Sequence, residues 1–323
     1  MGISAKDVNE LRKSTGAGMM DCKKALEEAG GDIDGALEYL RKKGQKVAAK
    51  RADRDANEGT VVILQDGNRA AVLALSCETD FVAKNEGFIA LANELFKLAF
   101  ESGAKTKEDV AAIEVDGTTV AERLVTETGK TGEKIEVSDY EVVEGPNLAT
   151  YIHAGSKIGV VLAYEDGGKD GADTFFRSVA MHVAAMNPSI MHPSEFDPEL
   201  VEKETVSIRE QIKIQNEDLQ RLGKTLKNVP DYVSKLQLTP EVMAAKEAEI
   251  KEELKSEGKP EKIWDKIIPG KIERFVADNT LLDQERCLLS QFFALDDTKT
   301  VEAAVADFHP EAKVIAYKRV SVS

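Results

Sequence analysis

The sequence predicts an α+β protein. Three observations carry that reading: apolar spacing near 3.6 in the opening segment, a change to period two after Gly59, and a return of the same hairpin-then-helix order about ninety residues later.

The opening segment reads as three short helices. Ser4 and Asp7 make a capping-box start, Val8 and Leu11 share a face, and Gly16 ends the first helix. A second runs from about Met20 to Ala29; Gly30-Gly31 breaks it and Asp32 caps a third, in which Ile33, Ala36, Leu37 and Leu40 recur at helical spacing. So small a bundle has a thin core. The basic run from Arg41-Lys42-Lys43 through Lys46, Lys50, Arg51 and Arg54 fits a phosphate patch or a solvated helix end and linker, and Asp53, Asp55 and Glu58 after it favour the second. Residues 1–55 are therefore a module with its linker.

Val61-Val62-Ile63-Leu64, the turn Gln65-Asp66-Gly67-Asn68 and Ala71-Val72-Leu73-Ala74-Leu75 predict a β-hairpin. A helix follows over about Asn85 to Ser102, with Phe88, Leu91, Ala92, Leu95 and Leu98 on one side, then another near Thr119 to Glu127, then strand from Lys134 to Val143. Gly145-Pro146 closes a first core subdomain, 56–145. The pattern restarts with Thr150 to His153, the turn Ala154-Gly155-Ser156-Lys157, a strand over Ile158 to Tyr164, a helix over Ala172 to Met186 and a closing strand from Lys313 to Val320. Two pseudo-repeated α+β subdomains explain this order, the second made of 146–205 and 259–323. Between its two pieces, 206–258 reads as an inserted helical hairpin. Ile208, Ile212, Leu219, Leu222 and Leu226 mark one helix of about 28 residues, Pro230-Asp231 breaks it, and Thr239-Pro240 starts a returning helix. The narrow stripe fits an intramolecular seam or a dimer contact.

Lys+Arg 43 against Asp+Glu 58 leaves a net charge of −15, which repels phosphate backbones and argues against nucleic acid as a main partner. Cys22, Cys77 and Cys287 are odd in number and far apart, as in a reducing compartment. The start, Met1-Gly2-Ile3-Ser4-Ala5-Lys6, lacks a signal-peptide core, and no apolar run approaches the ~20 residues that span a bilayer, so a soluble cytoplasmic protein without membrane contact is expected.

Motifs for covalent or nucleotide chemistry fail their tests. Gly16-Ala17-Gly18 lacks the third Gly of a dinucleotide fingerprint and follows a helix, and Gly129-Lys130-Thr131 and Gly223-Lys224-Thr225 lack the leading Gly of a P-loop. His153, His182, His192 and His309 have no Cys or carboxylate at metal-ligand spacing. What remains is binding chemistry. From the residues alone Phe81 is either a core side chain at a strand-to-helix junction or one presented to a partner, and His182 either a structural histidine or a contact. Met19 and Met20, adjacent in a Gly-flanked loop, cannot easily both face inward. A helical scaffold and a nucleotide-using enzyme stay open at this level.

The run Thr15-Gly16-Ala17-Gly18-Met19-Met20-Asp21-Cys22-Lys23-Lys24-Ala25-Leu26, followed by Thr79-Asp80-Phe81-Val82-Ala83-Lys84, closely resembles the elongation factor Ts family of guanine-nucleotide exchange factors. Its first part also resembles ubiquitin-associated three-helix modules. The resemblance covers the chain from first helix to last strand, with a divergent insertion. It implies a protein that binds the GTPase elongation factor Tu with GDP, perturbs the partner's Mg²⁺ and phosphate site and releases GDP so that GTP can enter. No catalytic residue, cofactor, metal or direct nucleotide contact is implied for this chain. Arg12, Met19, Met20 and Lys23 match the family's grip on the nucleotide-binding domain, and Asp80 and Phe81, flanked by Thr79 and Val82, match a wedge beside the switch region. His182 matches a contact with the partner's distal β domain. The insertion is longer than the family's short hairpin, which leaves a homodimer within the complex open. The contact some members make through a helical C-terminal module is expected to be absent, because Ser323 directly follows the last strand.

Overall fold

The computed structural model describes residues 3–153 and 155–322; Met1 and Gly2 of the start, Ala154 of the second hairpin's expected turn and Ser323 lie outside the described residues. The chain divides into two compact units, residues 1–184 with 313–323, and residues 185–312. The pieces 185–205 and 259–312, which the sequence groups with the second subdomain, therefore fold with 206–258.

Helix α1 (Ala5–Thr15) starts with Ser4 and Asp7 capping each other and stops at Gly16, whose φ of +69° a side chain would resist. Helices α2 (Met19–Glu28) and α3 (Ile33–Arg51) complete the module around Leu11, Cys22, Ala25, Leu26 and Ala36. The helix end carried by the basic run is long: α3 holds Arg41 through Arg51 and leaves Arg54 in the linker. The cause is tertiary: buried Gly44 lets α3 lie against a later helix, and Arg51 donates to the Glu78 carboxylate at 2.6 Å.

Strands β1 (Glu58–Asp66) and β2 (Arg69–Cys77) pair with Asp66 opposite Arg69, so Gly67, at φ +55°, takes the first central turn position and Asn68 the second. Then come α4 (Asp80–Ala83), α5 (Glu86–Ser102), α6 (Lys107–Ala112), a small hairpin of β3 (Glu114–Val115) and β4 (Thr118–Thr119), α7 (Val120–Thr131), β5 (Glu136–Glu144), β6 (Asn147–His153), β7 (Ile158–Glu165) and α8 (Ala172–Met186). The small hairpin and α6 have no counterpart in the sequence reading. Five helices and two strands follow in the second unit, and β10 (Lys313–Ser321) returns to the first.

Two three-stranded antiparallel sheets, β1-β2-β5 and β10-β7-β6, have the same plan: a hairpin whose second strand also pairs with a closing strand, with one register shift in that last pairing. This is the duplication seen in the sequence. Period-two alternation divides β2 between two cores. Ala71, Leu73, Leu75 and Cys77 pack with Phe88, Leu95 and Phe96 of α5, while Ala70, Val72 and Ala74 pack with Val161, Ala163 and Val320 of the other sheet. Both faces being covered, β2 and β7 read as near-continuous apolar runs. A Cβ on Gly159 would come within 2.6 Å of Val61, which fixes how closely the sheets meet. Tyr164 stacks on Phe176 of α8 at 3.9 Å.

In the second unit, α9 (Pro198–Arg221) corrects the expected long helix: it starts earlier, at a cap from Asp197, and ends at Arg221. Gly223, at φ +64°, closes it in a Schellman motif, with Lys224 N–H donating to Leu219 and Gly223 N–H to Gln220. Leu222 and Leu226 thus lie beyond the helix and are exposed. The returning helix α10 (Pro240–Ser256) lies along α11 (Trp264–Asp278), with Lys271 bonded to Glu253 at 2.8 Å. The rest is α12 (Leu281–Arg286), a hairpin of β8 (Phe292–Phe293) and β9 (Asp296–Thr300), and α13 (Val301–Phe308), with Phe196, Val201, Val233, Leu282 and Cys287 forming a separate core.

The glycine at the α3–α7 crossing supplies a test. A Cβ on Gly129 would stand 2.6 Å from Gly44 Cα, backbone that cannot swing aside. Gly129→Ala is expected to lower stability by about 1–3 kcal/mol in thermal unfolding despite alanine's better helix propensity. A melting temperature at or above that of the unsubstituted protein would contradict the contact.

Candidate functional site

The loop after α1 turns one residue in and two out. Ala17 is buried, its N–H donates to Thr15 Oγ1 at 3.2 Å, and its carbonyl accepts from Cys22 Sγ at 3.6 Å. With Ala17 plugged inward, Met19 and Met20 at the start of α2 stand 53% and 73% exposed. Arg12 and Lys23 are exposed too, Lys23 lying 3.8 Å from Glu27. The four residues singled out in the module are therefore all accessible.

The second motif forms the single turn α4. Val82 packs against the first subdomain's core, and Phe81, next to it, is 83% exposed, which excludes the core alternative. Asp80 accepts from Lys84 at 2.6 Å, a bond that holds its carboxyl below the usual carboxylate range. Thr79 is held by Glu133: its N–H donates to Oε2 at 3.0 Å and its hydroxyl to Oε1 at 2.7 Å. Cys77 Sγ donates to the Thr79 carbonyl at 3.2 Å, and burial, with the nearby Glu133 charge, pushes that thiol up to about 12.

Both motifs border grooves that share Lys130. One, of about 300 Å³, is lined by Thr15, Ala17, Leu37, Lys43, Thr126 and Lys130. The other, of about 430 Å³, is lined by Gly16, Phe81, Asn85, Phe88, Glu127 and Lys130. Lys130 is bonded to Glu127 at 2.7 Å, so the strip between the loop and the Phe81 turn carries paired charges beside apolar surface. Such a surface can dock a protein element; it carries no nucleophile with a base.

His182 departs from expectation. On α8 it is 1% exposed, its ring turned to the core side with Val179 and Val183, while Met181 and Met186 are the exposed positions nearby. A direct contact by the imidazole is not available from there. Sequence reasoning also missed Glu133 and Glu78, which lack periodicity or motif, and met Lys130 only in a rejected P-loop tail; the one available signal was the pair of carboxylates at two chain reversals.

Among the described residues, no group of three or more His, Cys, Asp or Glu could hold a metal ion, and no helix is long and apolar enough to cross a membrane. A sequence profile described as Elongation factor TS matches residues 78–228 and 225–323. Proteins named Elongation factor Ts are similar over nearly the full length: that of Rhodopirellula baltica is 69% identical over 323 residues, 99% of each chain. That of Flavobacterium johnsoniae is 49% identical over 322 residues, again 99% of each, and that of Wolinella succinogenes 42% over 329 residues, 98% of this chain and 93% of the relative.

Truncating a buried Phe costs about 3–5 kcal/mol, whereas Phe81→Ala should shift the melting temperature by less than about 2 °C, because the ring is already wet. A large loss would return Phe81 to the core. The raised thiol gives a second outcome: with its folded value far above its ordinary one, Cys77 stays protonated at pH 8, and since only the thiolate attacks, native protein should resist iodoacetamide there and react on unfolding. Rapid native labelling at Cys77, mapped by mass spectrometry, would count against the burial described.

Proposed function

The chain belongs to the elongation factor Ts family and is a nucleotide-exchange factor of translation elongation; from that premise we propose that it binds elongation factor Tu carrying GDP, in the cytoplasm, and drives nucleotide out by inserting Phe81 beside the partner's switch region. The observation that carries this reading is the 83% exposure of a large aromatic on a turn whose other residues are tied down. A lone exposed apolar side chain is ordinary by itself; this one stands at the motif position where the family resemblance places the wedge.

Met19 and Met20, with Arg12 and Lys23 at the rim, supply the grip of the N-terminal module. Methionine fits that task because its unbranched, polarizable chain adapts to the facing surface. Phe81 supplies the disturbance: its ring enters an apolar pocket of the GTPase and Asp80 accompanies it, shifting the groups that hold Mg²⁺ and the β-phosphate. Around His182 the contact falls to the exposed neighbours on α8, Met181 foremost.

Exchange then needs no covalent step. If the factor weakens GDP binding by some ratio, GDP weakens the factor's binding by the same ratio, so each displaces the other. A thousandfold weakening corresponds to about 4 kcal/mol of differential contact. A buried aromatic and a disrupted metal shell are of that order, and this chain need not touch nucleotide.

Release of fluorescent GDP from elongation factor Tu, followed against factor concentration, separates grip from disturbance. Phe81→Ala should lower the maximal rate by about tenfold or more while the half-saturating concentration moves less. Met19→Ala with Met20→Ala should do the reverse, raising that concentration and sparing the maximal rate. Unchanged release by Phe81→Ala would remove the residue from the mechanism.

A further inference from the structure

Helix α4 has four residues, too few to hold itself together, since nucleating a turn is unfavourable without tertiary support. Its first-turn geometry is also unusual. Thr79 stands at the N-cap with extended backbone, the place where a threonine hydroxyl ordinarily accepts from the helix's own N–H groups, yet it makes no such bond. Its hydroxyl donates outward to Glu133 instead.

Glu133 is equipped to hold it. The residue follows Gly132, which ends α7 at φ +74°, and its own N–H donates to Thr131 Oγ1 at 3.2 Å, so its backbone is fixed before its carboxylate reaches across. The two oxygens take different donors of one residue, Thr79 N–H and O–H, as a bidentate grip would. One position earlier the arrangement is reciprocated: Glu78 Oε1 accepts Lys134 N–H at 2.7 Å and Oε2 accepts Arg51 at 2.6 Å. Two consecutive residues of one chain reversal are thus bonded to two consecutive residues of another, and α3 is tied to the same knot. With Thr79 clamped on one side and Val82 held in the core on the other, the ring between them has one outward direction.

We propose that Glu133 is the positioning residue of exchange, aiming Phe81 at the partner by holding both donors of Thr79. This rests on the reading of Phe81 as the exchange wedge and extends it to a residue that touches no partner itself. The clamp removes the freedom the turn would otherwise lose on binding, so its effect falls on the step Phe81 performs and less on docking.

Glu133→Ala, Glu133→Gln, Thr79→Val, Thr79→Ser and Phe81→Ala test this, each alone, with Glu133→Ala also combined with Phe81→Ala. Three quantities are read: the maximal rate of GDP release from elongation factor Tu, the half-saturating concentration, and hydrogen–deuterium exchange of the Ala83 and Lys84 amides in the free protein. Glu133→Ala should lower the maximal rate by about tenfold, as expected for losing hydrogen bonds to a charged group, and speed exchange at those amides. Glu133→Gln, which keeps one acceptor oxygen, and Thr79→Val should fall between, and Thr79→Ser, which keeps the hydroxyl donor, should lose less than Thr79→Val. The double variant should be no slower than Phe81→Ala, because the carboxylate acts through the ring. If Glu133→Ala melts more than about 5 °C lower, Thr79→Val decides the matter, having lost only the hydroxyl contact. Additive loss in the double variant, a change confined to the half-saturating concentration, or unaltered amide exchange overturns the positioning role while leaving Phe81 as the wedge. Full release by Phe81→Ala overturns both.

Discussion

The first unit depends on one close approach, that of Gly44 on α3 to Gly129 on α7, where any larger residue would meet backbone. Helices normally stand 8–10 Å apart because side chains separate them. Removing both side chains at one level lets α3 settle onto the first subdomain, so its last turns become part of that subdomain and Arg51 reaches Glu78. The same approach brings Gly16 beside Lys130, the residue common to the groove at the methionine loop and the groove at the Phe81 turn. A flexible tether would have left that arrangement to chance; here it is part of the packing.

Exposure and rigidity divide between neighbouring residues. Ala17 goes in so that Met19 and Met20 can stay out, and Val82 goes in so that Phe81 can. Each inward neighbour, Ala17 buried and Val82 half-buried, anchors the backbone at almost no cost in presented surface. An aromatic ring fixed this way loses little conformational freedom on binding, which makes its contact energy available for opposing another ligand. The charges around it are mostly paired, Lys84 with Asp80 and Lys130 with Glu127, so the strip is neither strongly cationic nor anionic in spite of the chain's overall negative charge.

The duplicated sheets provide the frame. Each closing strand pairs with the second strand of its hairpin, and the two sheets meet through small residues and valines, with Gly159 at the tightest point. In the second copy the chain leaves after α8 and returns at β10, and a unit with its own core fills the interval. A frame tolerates so long an excursion because closing a longer loop adds only slowly to the entropic cost. Burial of His182 belongs to the same frame: α8 covers the second sheet, and a residue between Val179 and Val183 on its inner face has no route to solvent.

Elements whose signals lie within a few residues were legible in the sequence. The Ser4–Asp7 cap, the stop at Gly16, the two long hairpins, and the exposure of adjacent methionines each follow from contacts or steric limits that span about one helical turn. The family resemblance further drew attention to Phe81 and Asp80. Tertiary structure alone decided the extension of α3, the pairing of α10 with α11, the inward turn of His182 and the bond between Thr79 and Glu133, residues separated by 54 positions. Contacts at that separation leave no period to read, because which carboxylate meets which turn is fixed only when the sheets and helices have packed. The identity of an exposed ring could thus be inferred from its motif, but what holds it in place could not.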